Sequence, residues 1–208
     1  MYFLCEKGVD IKMAYEKIKF DDIERIDFIV TKGMTAQQVY AKYKPDYILN
    51  GALYDMATKT NITNALDEGK KSGYLFSSEG LAINGQKHVV WVTEKEAKSS
   101  NYRDYIAGSP TLVKNGQKFI SWGNKYSSYV DGSHKRSVIG FNSTHLFLLA
   151  SDYNNTISGL ANYCINAGMT YAINLDGGGS CHLQKGTKVI KKSTRANVSW
   201  ILVYLKKG

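Results

Sequence analysis

Ala172-Ile173-Asn174-Leu175-Asp176-Gly177-Gly178-Gly179-Ser180 is an apolar run that carries Asn174 and Asp176 to the lip of a triple-glycine turn. Three consecutive glycines remove side chains from the turn, permit positive φ and let another group approach the backbone closely. Successive bare N–H groups in such a turn can form a nest for an anion, and a carboxylate beside it suits chemistry at a sugar or phosphate. The plainer alternative is a tight hairpin turn that an Asp happens to cap. The next residues, Cys181-His182-Leu183-Gln184-Lys185-Gly186, read as a second strand and a turn rather than a helix. That counts against a dinucleotide fold, which needs strand, glycine turn and helix in order.

Upstream of this run, Ile157, Leu160, Ala161, Cys164 and Ala167 fall at helical spacing, with Gly168 as a fitting C-cap. Downstream, residues 187–191 and 198–205 read as two closing strands. Near the start, Ile26-Asp27-Phe28-Ile29-Val30 reads as a strand, and Thr35 with Gln38 forms a capping box that opens a helix, with Met34 stapled onto Val39. Pro45 stops that helix, and Tyr47-Ile48-Leu49 is a short buried strand ending in Asn50-Gly51. Tyr74-Leu75-Phe76, Leu81-Ala82-Ile83 and His88-Val89-Val90-Trp91-Val92 form hairpins, with Asn84-Gly85 as a strong turn signal. Thr111-Leu112-Val113 before Asn115-Gly116 repeats the device, residues 121–134 form a polar loop, and two strands flank Asn142-Ser143. These elements predict an α+β fold: one domain over residues 1–208, with a largely antiparallel or mixed sheet built from hairpins and two main helices packed on it.

The chain has 208 residues, 43% of them hydrophobic, with only two prolines, which describes an ordinary globule rather than a disordered or fibrous chain. No apolar run approaches the roughly 20 residues of a membrane span, and Met1-Tyr2-Phe3-Leu4-Cys5 is too short for a signal-peptide core. The expectation is a cytoplasmic, non-membrane protein of bacterial or phage type. Cys5, Cys164 and Cys181 are an odd number without CxxC spacing, which fits a reducing compartment and excludes the usual structural zinc patterns. A net charge of +9, carried by 23 lysines and four arginines, favours anionic partners. The lysines are scattered, so nucleic acid is a weaker expectation than a sugar-phosphate or nucleotide-like substrate.

Several blocks, in order, resemble the phosphodiester glycosidase family. Its Asn-Leu-Asp-Gly-Gly-Gly-Ser signature stands unbroken from Asn174 to Ser180. Asn50-Gly51-Ala52-Leu53-Tyr54-Asp55 is similar to its upstream Asn-Gly block with an aromatic-Asp pair. Gly108-Ser109-Pro110-Thr111-Leu112-Val113-Lys114-Asn115-Gly116, Arg136-Ser137-Val138-Ile139-Gly140 and Arg195-Ala196-Asn197-Val198 resemble three further blocks, so the likeness runs from about residue 25 to 205. The chain departs at Ser151-Asp152-Tyr153, where the family commonly shows Asp-Gly-Arg, and at Ser180-Cys181-His182-Leu183, where it shows a Ser-Ser/Thr-x-Met tail. The resemblance implies a hydrolase that cleaves a sugar-1-phosphodiester in a phosphate-containing glycan or nucleotide-sugar-like substrate.

Such a cleavage needs stabilisation of an oxocarbenium-like centre and of a departing phosphate. Asp176 is the leading carboxylate, as nucleophile or general base, with Asp55 as its partner and Asp152 in reserve. Arg136 and Arg195 can grip phosphate through a bidentate fork, beside the amides of Gly177, Gly178 and Gly179. The alternative for either arginine is a structural ion pair. Asn50, Gly51, Asn174 and Ser180 line the expected substrate site, and His134 is a further contact from the loop. Asn50 and Asn174 can equally satisfy buried backbone. Alternation puts Ser180 and His182 on one strand face, where His182 reads as a proton donor to phosphate or as an ordinary surface histidine. No HxH, HxxxH or Asp/His cluster is present, so neither metal nor cofactor is expected. The competing function is a non-catalytic carbohydrate-, nucleotide- or nucleic-acid-binding module on the same fold.

Overall fold

The computed structural model describes residues 13–63, 65–68, 70–73, 79–99, 102–108, 110–121 and 131–208. Cys5, the strand read at residues 74–76, Ser109 and most of the polar loop at 121–134 lie outside the described residues.

In chain order the strands are β1 (Met13–Lys19), β2 (Ile23–Met34), β3 (Tyr47–Asn50), β4 (Ala65–Asp67), β5 (Lys70–Ser72), β6 (Gly80–Asn84), β7 (His88–Val92) and β8 (Asp104–Ala107). They continue as β9 (Thr111–Lys114), β10 (Gln117–Ser121), β11 (Ser137–Phe141), β12 (His145–Ser151), β13 (Tyr171–Asn174), β14 (Leu183–Lys185), β15 (Lys188–Lys191) and β16 (Asn197–Leu205). Among the described residues three α-helices accompany them: α1 (Ala36–Tyr43), α2 (Glu94–Ser99) and α3 (Ile157–Asn166).

The described strands form three sheets, ordered β1-β12-β11-β13-β9-β10, β15-β14-β3-β16-β2 and β5-β4-β8-β6-β7. Neighbouring strands pair antiparallel throughout, as the hairpin signals require. Alternation along each strand assigns the faces. Leu146, Leu148 and Ala150 of β12 point into a core shared with Leu49 of β3, Ile201 of β16 and Ile106 of β8, so one core joins all three sheets. Phe147 and Leu149 point the other way and receive Leu160, Ala161 and Cys164 of α3. The outer face of the second sheet offers Ile48, Trp200 and Leu202 to Val39 of α1.

Local chemistry fixes the helix ends. Thr35 and Gln38 form the reciprocal capping box that opens α1, and Lys44 in the left-handed region closes it before Pro45. Thr156 caps α3 through the Gly159 amide, and Gly168 at φ +86 turns the chain toward β13. The sequence reading named two helices; α2 is a third. Its signal was present, since Thr93 and Glu96 exchange the bonds of a capping box, but α2 spans only 6 residues.

Candidate functional site

Asn50, at the last position of β3, joins the first two sheets. Its Oδ1 accepts from the Ser137 hydroxyl at 2.7 Å and the His182 amide at 3.0 Å, and its Nδ2 donates to the Asp176 carbonyl at 2.8 Å. Gly51 extends the clamp by accepting from the Asp176 amide at 3.1 Å. A Cβ on Gly51 would stand 2.5 Å from the Ser199 hydroxyl, so glycine is required for that approach. Asn50 and Gly51 therefore hold the Asp176 backbone from two sides.

The glycine loop begins where β13 ends. Gly177 donates to Oδ1 of Asp176 at 2.9 Å and Gly178 to the Lys135 carbonyl at 2.9 Å. Two of the three glycine amides expected to cradle an anion thus have partners within the protein. The glycines serve close approach instead: a Cβ on Gly177 would lie 2.5 Å from the Lys135 carbonyl oxygen, and one on Gly179 would lie 2.6 Å from Thr194 Oγ1. Gly178 adopts φ +59, and its Cβ position meets nothing within 4 Å.

Ser180 closes the short 3-10 turn Gly178–Ser180 and is buried. The turn geometry removes it from the strand on which alternation had placed it with His182. Its Oγ accepts from Nε of Arg195 at 2.8 Å, and its own hydroxyl faces the Asp176 carboxylate. Nη2 of Arg195 lies 3.4 Å from the Gly177 carbonyl and 3.9 Å from Oδ2 of Asp176. Nη1 reaches Met56 Sδ at 3.3 Å, and the guanidinium sits over the Tyr54 ring at 5.8 Å. Tyr54 is itself fixed by its hydroxyl bond to the Ala196 carbonyl. Arg195, Ser180 and Asp176 form a connected cation–hydroxyl–carboxylate unit.

The Asp176 side chain is 15% exposed and that of Arg195 34%. Burial pushes the Asp176 carboxyl up to about 6, although the Ser180 hydroxyl, the Arg195 charge and the Gly177 amide all pull it down. A carboxyl in that range ionises near neutrality, where an acid–base or nucleophilic group is most useful.

The other expected residues divide. Asn174 is buried at the end of β13, paired with Val138 and donating its amide to the Pro110 carbonyl. Arg136 is only 2% exposed. Its Nε donates to the Asn155 carbonyl at 3.3 Å and its Nη2 donates to the Gly132 carbonyl, while burial lowers the guanidinium to about 10. That environment is a buried anchor for two loops rather than an open phosphate fork. Asp55 accepts at Oδ1 from the amides of Ala57 and Thr58, which hold its carboxyl below the usual range and make it a turn cap. Asp152 is exposed and pairs with Lys191 at 2.8 Å, and His134 is exposed with its backbone bridged to Asn155.

His182 is buried, not the surface histidine of the plainer reading. Its Nδ1 accepts from the Ser193 amide at 3.2 Å, so Nε2 carries the proton toward Gln184 Oε1, also at 3.2 Å. Burial pushes its pKa down to about 4, and its ring meets Trp200 edge-on. The buried Cys181 thiol is pushed up to about 11, which leaves it unreactive near neutral pH. Among the described residues no group of three or more His, Cys, Asp or Glu is placed to hold a metal ion.

Beside Arg195 a groove of about 690 Å³ runs between α1 and the β14–β15 hairpin. Thr35, Tyr40, His182, Lys192 and Thr194 contribute to its walls, which carry two cations and no carboxylate. The sequence reading did not single out Ser137, Thr194 or Lys192. Ser137 lay within a quoted block, but only the fold brings it to Asn50.

A family model described as phosphodiester glycosidase matches residues 43–203. The fold resembles the catalytic domain of zebrafish N-acetylglucosamine-1-phosphodiester alpha-N-acetylglucosaminidase, auto-inhibited by its pro-peptide. That match has a TM-score of 0.75 and 12% identity, over 99% of this chain and 87% of that one. It also resembles a hypothetical protein from Synechocystis, with a TM-score of 0.67 and 11% identity, over 93% of this chain and 57% of that one. No curated protein sequence matches significantly.

Proposed function

The chain belongs to the phosphodiester glycosidase family, and we propose that it hydrolyses a sugar-1-phosphodiester, releasing the sugar and a phosphate monoester. The substrate class is a phosphate-containing glycan or a nucleotide-sugar-like molecule. The observation that carries this reading is the Arg195–Ser180–Asp176 unit, a carboxyl poised near 6 beside a half-open guanidinium.

In this reading Asp176 works at the anomeric carbon, as nucleophile or as base toward water. The Gly177 amide and the Ser180 hydroxyl fix its carboxylate, and Asn50 and Gly51 fix its backbone. Arg195 neutralises charge on the leaving phosphate, and the cationic groove past Lys192 accommodates what that phosphate carries. A phosphate monoester departs without a strong general acid, so the turn-capping role of Asp55 costs the mechanism little. Arg136 acts at one remove, as a positioning residue. It stands between Lys135, whose carbonyl accepts from Gly178, and Ser137, whose carbonyl accepts from Leu175.

Phosphorus NMR of UDP-N-acetylglucosamine and of a methyl phosphodiester of N-acetylglucosamine 1-phosphate, incubated with the protein, tests the reading. Wild type should release UDP from the first or methyl phosphate from the second, and Asp176→Asn should release neither. Equal binding by both proteins with no turnover by either would replace the hydrolase by the binding module.

A further inference from the structure

The end of the first sheet remote from Asp176 carries a second cavity, of about 600 Å³. Tyr171, on its wall, precedes Asp176 by five residues of nearly extended chain, roughly 17 Å at 3.3 Å per residue. One sugar unit cannot reach both places. Four separate stretches build the walls: the turn after β1 with Phe20 and Asp21, the β6–β7 turn with Lys87 and His88, the β11–β12 turn, and the entry to β13.

These walls are bonded to one another before any ligand arrives. Phe20 donates its amide to the Thr144 carbonyl at 3.0 Å and accepts from Lys87 Nζ at 3.0 Å. Thr170 donates to the Phe141 carbonyl at 2.9 Å, and Asn142 Nδ2 donates to the Gly168 carbonyl at 2.9 Å. On the wall Phe141 and Tyr171 stack, with ring centres 5.1 Å apart and planes within 20°, and Trp91, outside the cavity lining, stacks on Tyr171 at 5.2 Å and 21°. The rim adds an exposed carboxylate at Asp21 and an exposed imidazole at His88.

We infer that this cavity is a sugar-binding subsite, separate from the Asp176 site, that takes a neutral pyranose unit of a glycan. The half-buried Phe20 and Phe141 rings on the walls suit the C–H face of a pyranose, and a few polar groups at the rim suit its hydroxyls. Bonded walls keep the cost of ordering low. The assignment goes beyond the proposed hydrolysis and stands whether or not Asp176 is catalytic.

Amide chemical-shift titrations with methyl β-glucopyranoside and with the methyl glycoside of N-acetylglucosamine test it. Saturable shifts are expected at residues 20–21, 87–88, 142–143 and 170–171, and they should persist in Asp176→Asn. The Asp21→Ala/His88→Ala double variant changes exposed residues only. It should weaken sugar binding about fivefold while leaving turnover of a small sugar-1-phosphodiester unchanged. Shifts confined to the surroundings of Asp176, or an unaltered affinity in the folded double variant, would overturn the assignment. So would adenosine monophosphate moving the same amides at lower concentration than either sugar, since the cavity would then be a base-stacking site.

Discussion

Asp176 is held where ionisation is costly. Its carboxyl rises from 3.8 to about 6 on folding, because burial outweighs the hydroxyl, the amide and the guanidinium that face it. The protonated form is thus favoured in the folded state. The stability that this group contributes is full below the unfolded pKa and is lost as pH rises through about 6, to a total of roughly 3 kcal/mol. Asp176→Asn should therefore melt higher than wild type at pH 8, with the gap closing toward pH 4, while abolishing hydrolysis. A calorimetric melt at the two pH values checks this. In the sequence Asp176 reads as a turn cap or as a reactive carboxylate, and the three glycines and Asn174 beside it favour the second. The sequence leaves Arg136 between a phosphate fork and a structural role, because a one-dimensional block cannot distinguish a solvent-facing guanidinium from one roofed by the carbonyls of Gly132 and Asn155. Asn50 carries two readings in the sequence, a substrate contact or the satisfaction of buried backbone. Its three hydrogen bonds to Ser137, His182 and Asp176 become visible only once two sheets meet.

At the level of elements, the glycine loop carries the sharpest local demands, and its glycines are not equivalent. Gly177→Ala drives a Cβ into the Lys135 carbonyl. It should cost about 1–3 kcal/mol through overpacking and shift the Asp176 carboxylate with the backbone. Gly178→Ala meets no neighbour but keeps φ +59, so it should cost about 1 kcal/mol in backbone strain and leave turnover nearly intact. Urea melts and kcat/KM on the two variants separate the effects. The hairpins at Asn84-Gly85 and Asn115-Gly116 and the box at Thr35 were legible because turn and cap chemistry is local. The short strands β4 and β5 were not, because three-residue strands owe their existence to the partners they pair with.

Over the whole molecule, the antiparallel α+β class followed from hairpin density, but the strand order did not. β3 lies between β14 and β16, and β13 between β11 and β9, so the glycine run meets Asn50 only through long-range pairing. The third sheet is tied to β2 by carboxylates and a cation: Asp104 and Asp67 accept from the Phe28 and Val30 amides, and Nη2 of Arg103 lies 2.7 Å from the Ile26 carbonyl, Asp27 Oδ1 and Asp104 Oδ2. Burial raises the Asp104 carboxyl even with that cation present. Arg103→Ala should cost about 3 kcal/mol at neutral pH by taking the counter-ion from a buried carboxylate that keeps the Phe28 and Glu68 amides as donors. The loss should shrink as pH falls and Asp104 takes up a proton, and hydrogen exchange in β8 should report it.

In the proposed reaction one carboxyl, Asp176, tuned by Ser180 and Arg195, governs hydrolysis of the glycosyl phosphate. A carbon-13 NMR titration of the Asp176 carboxyl, set against the pH dependence of kcat/KM, tests it most directly. Both curves should turn near 6, with activity rising as the carboxyl ionises. Both should move upward together in Ser180→Ala, which removes a hydrogen bond that favours the charged form. A carboxyl that titrates near the ordinary value of 3.8, or a kinetic limb that stays in place while the carboxyl moves, would contradict the account.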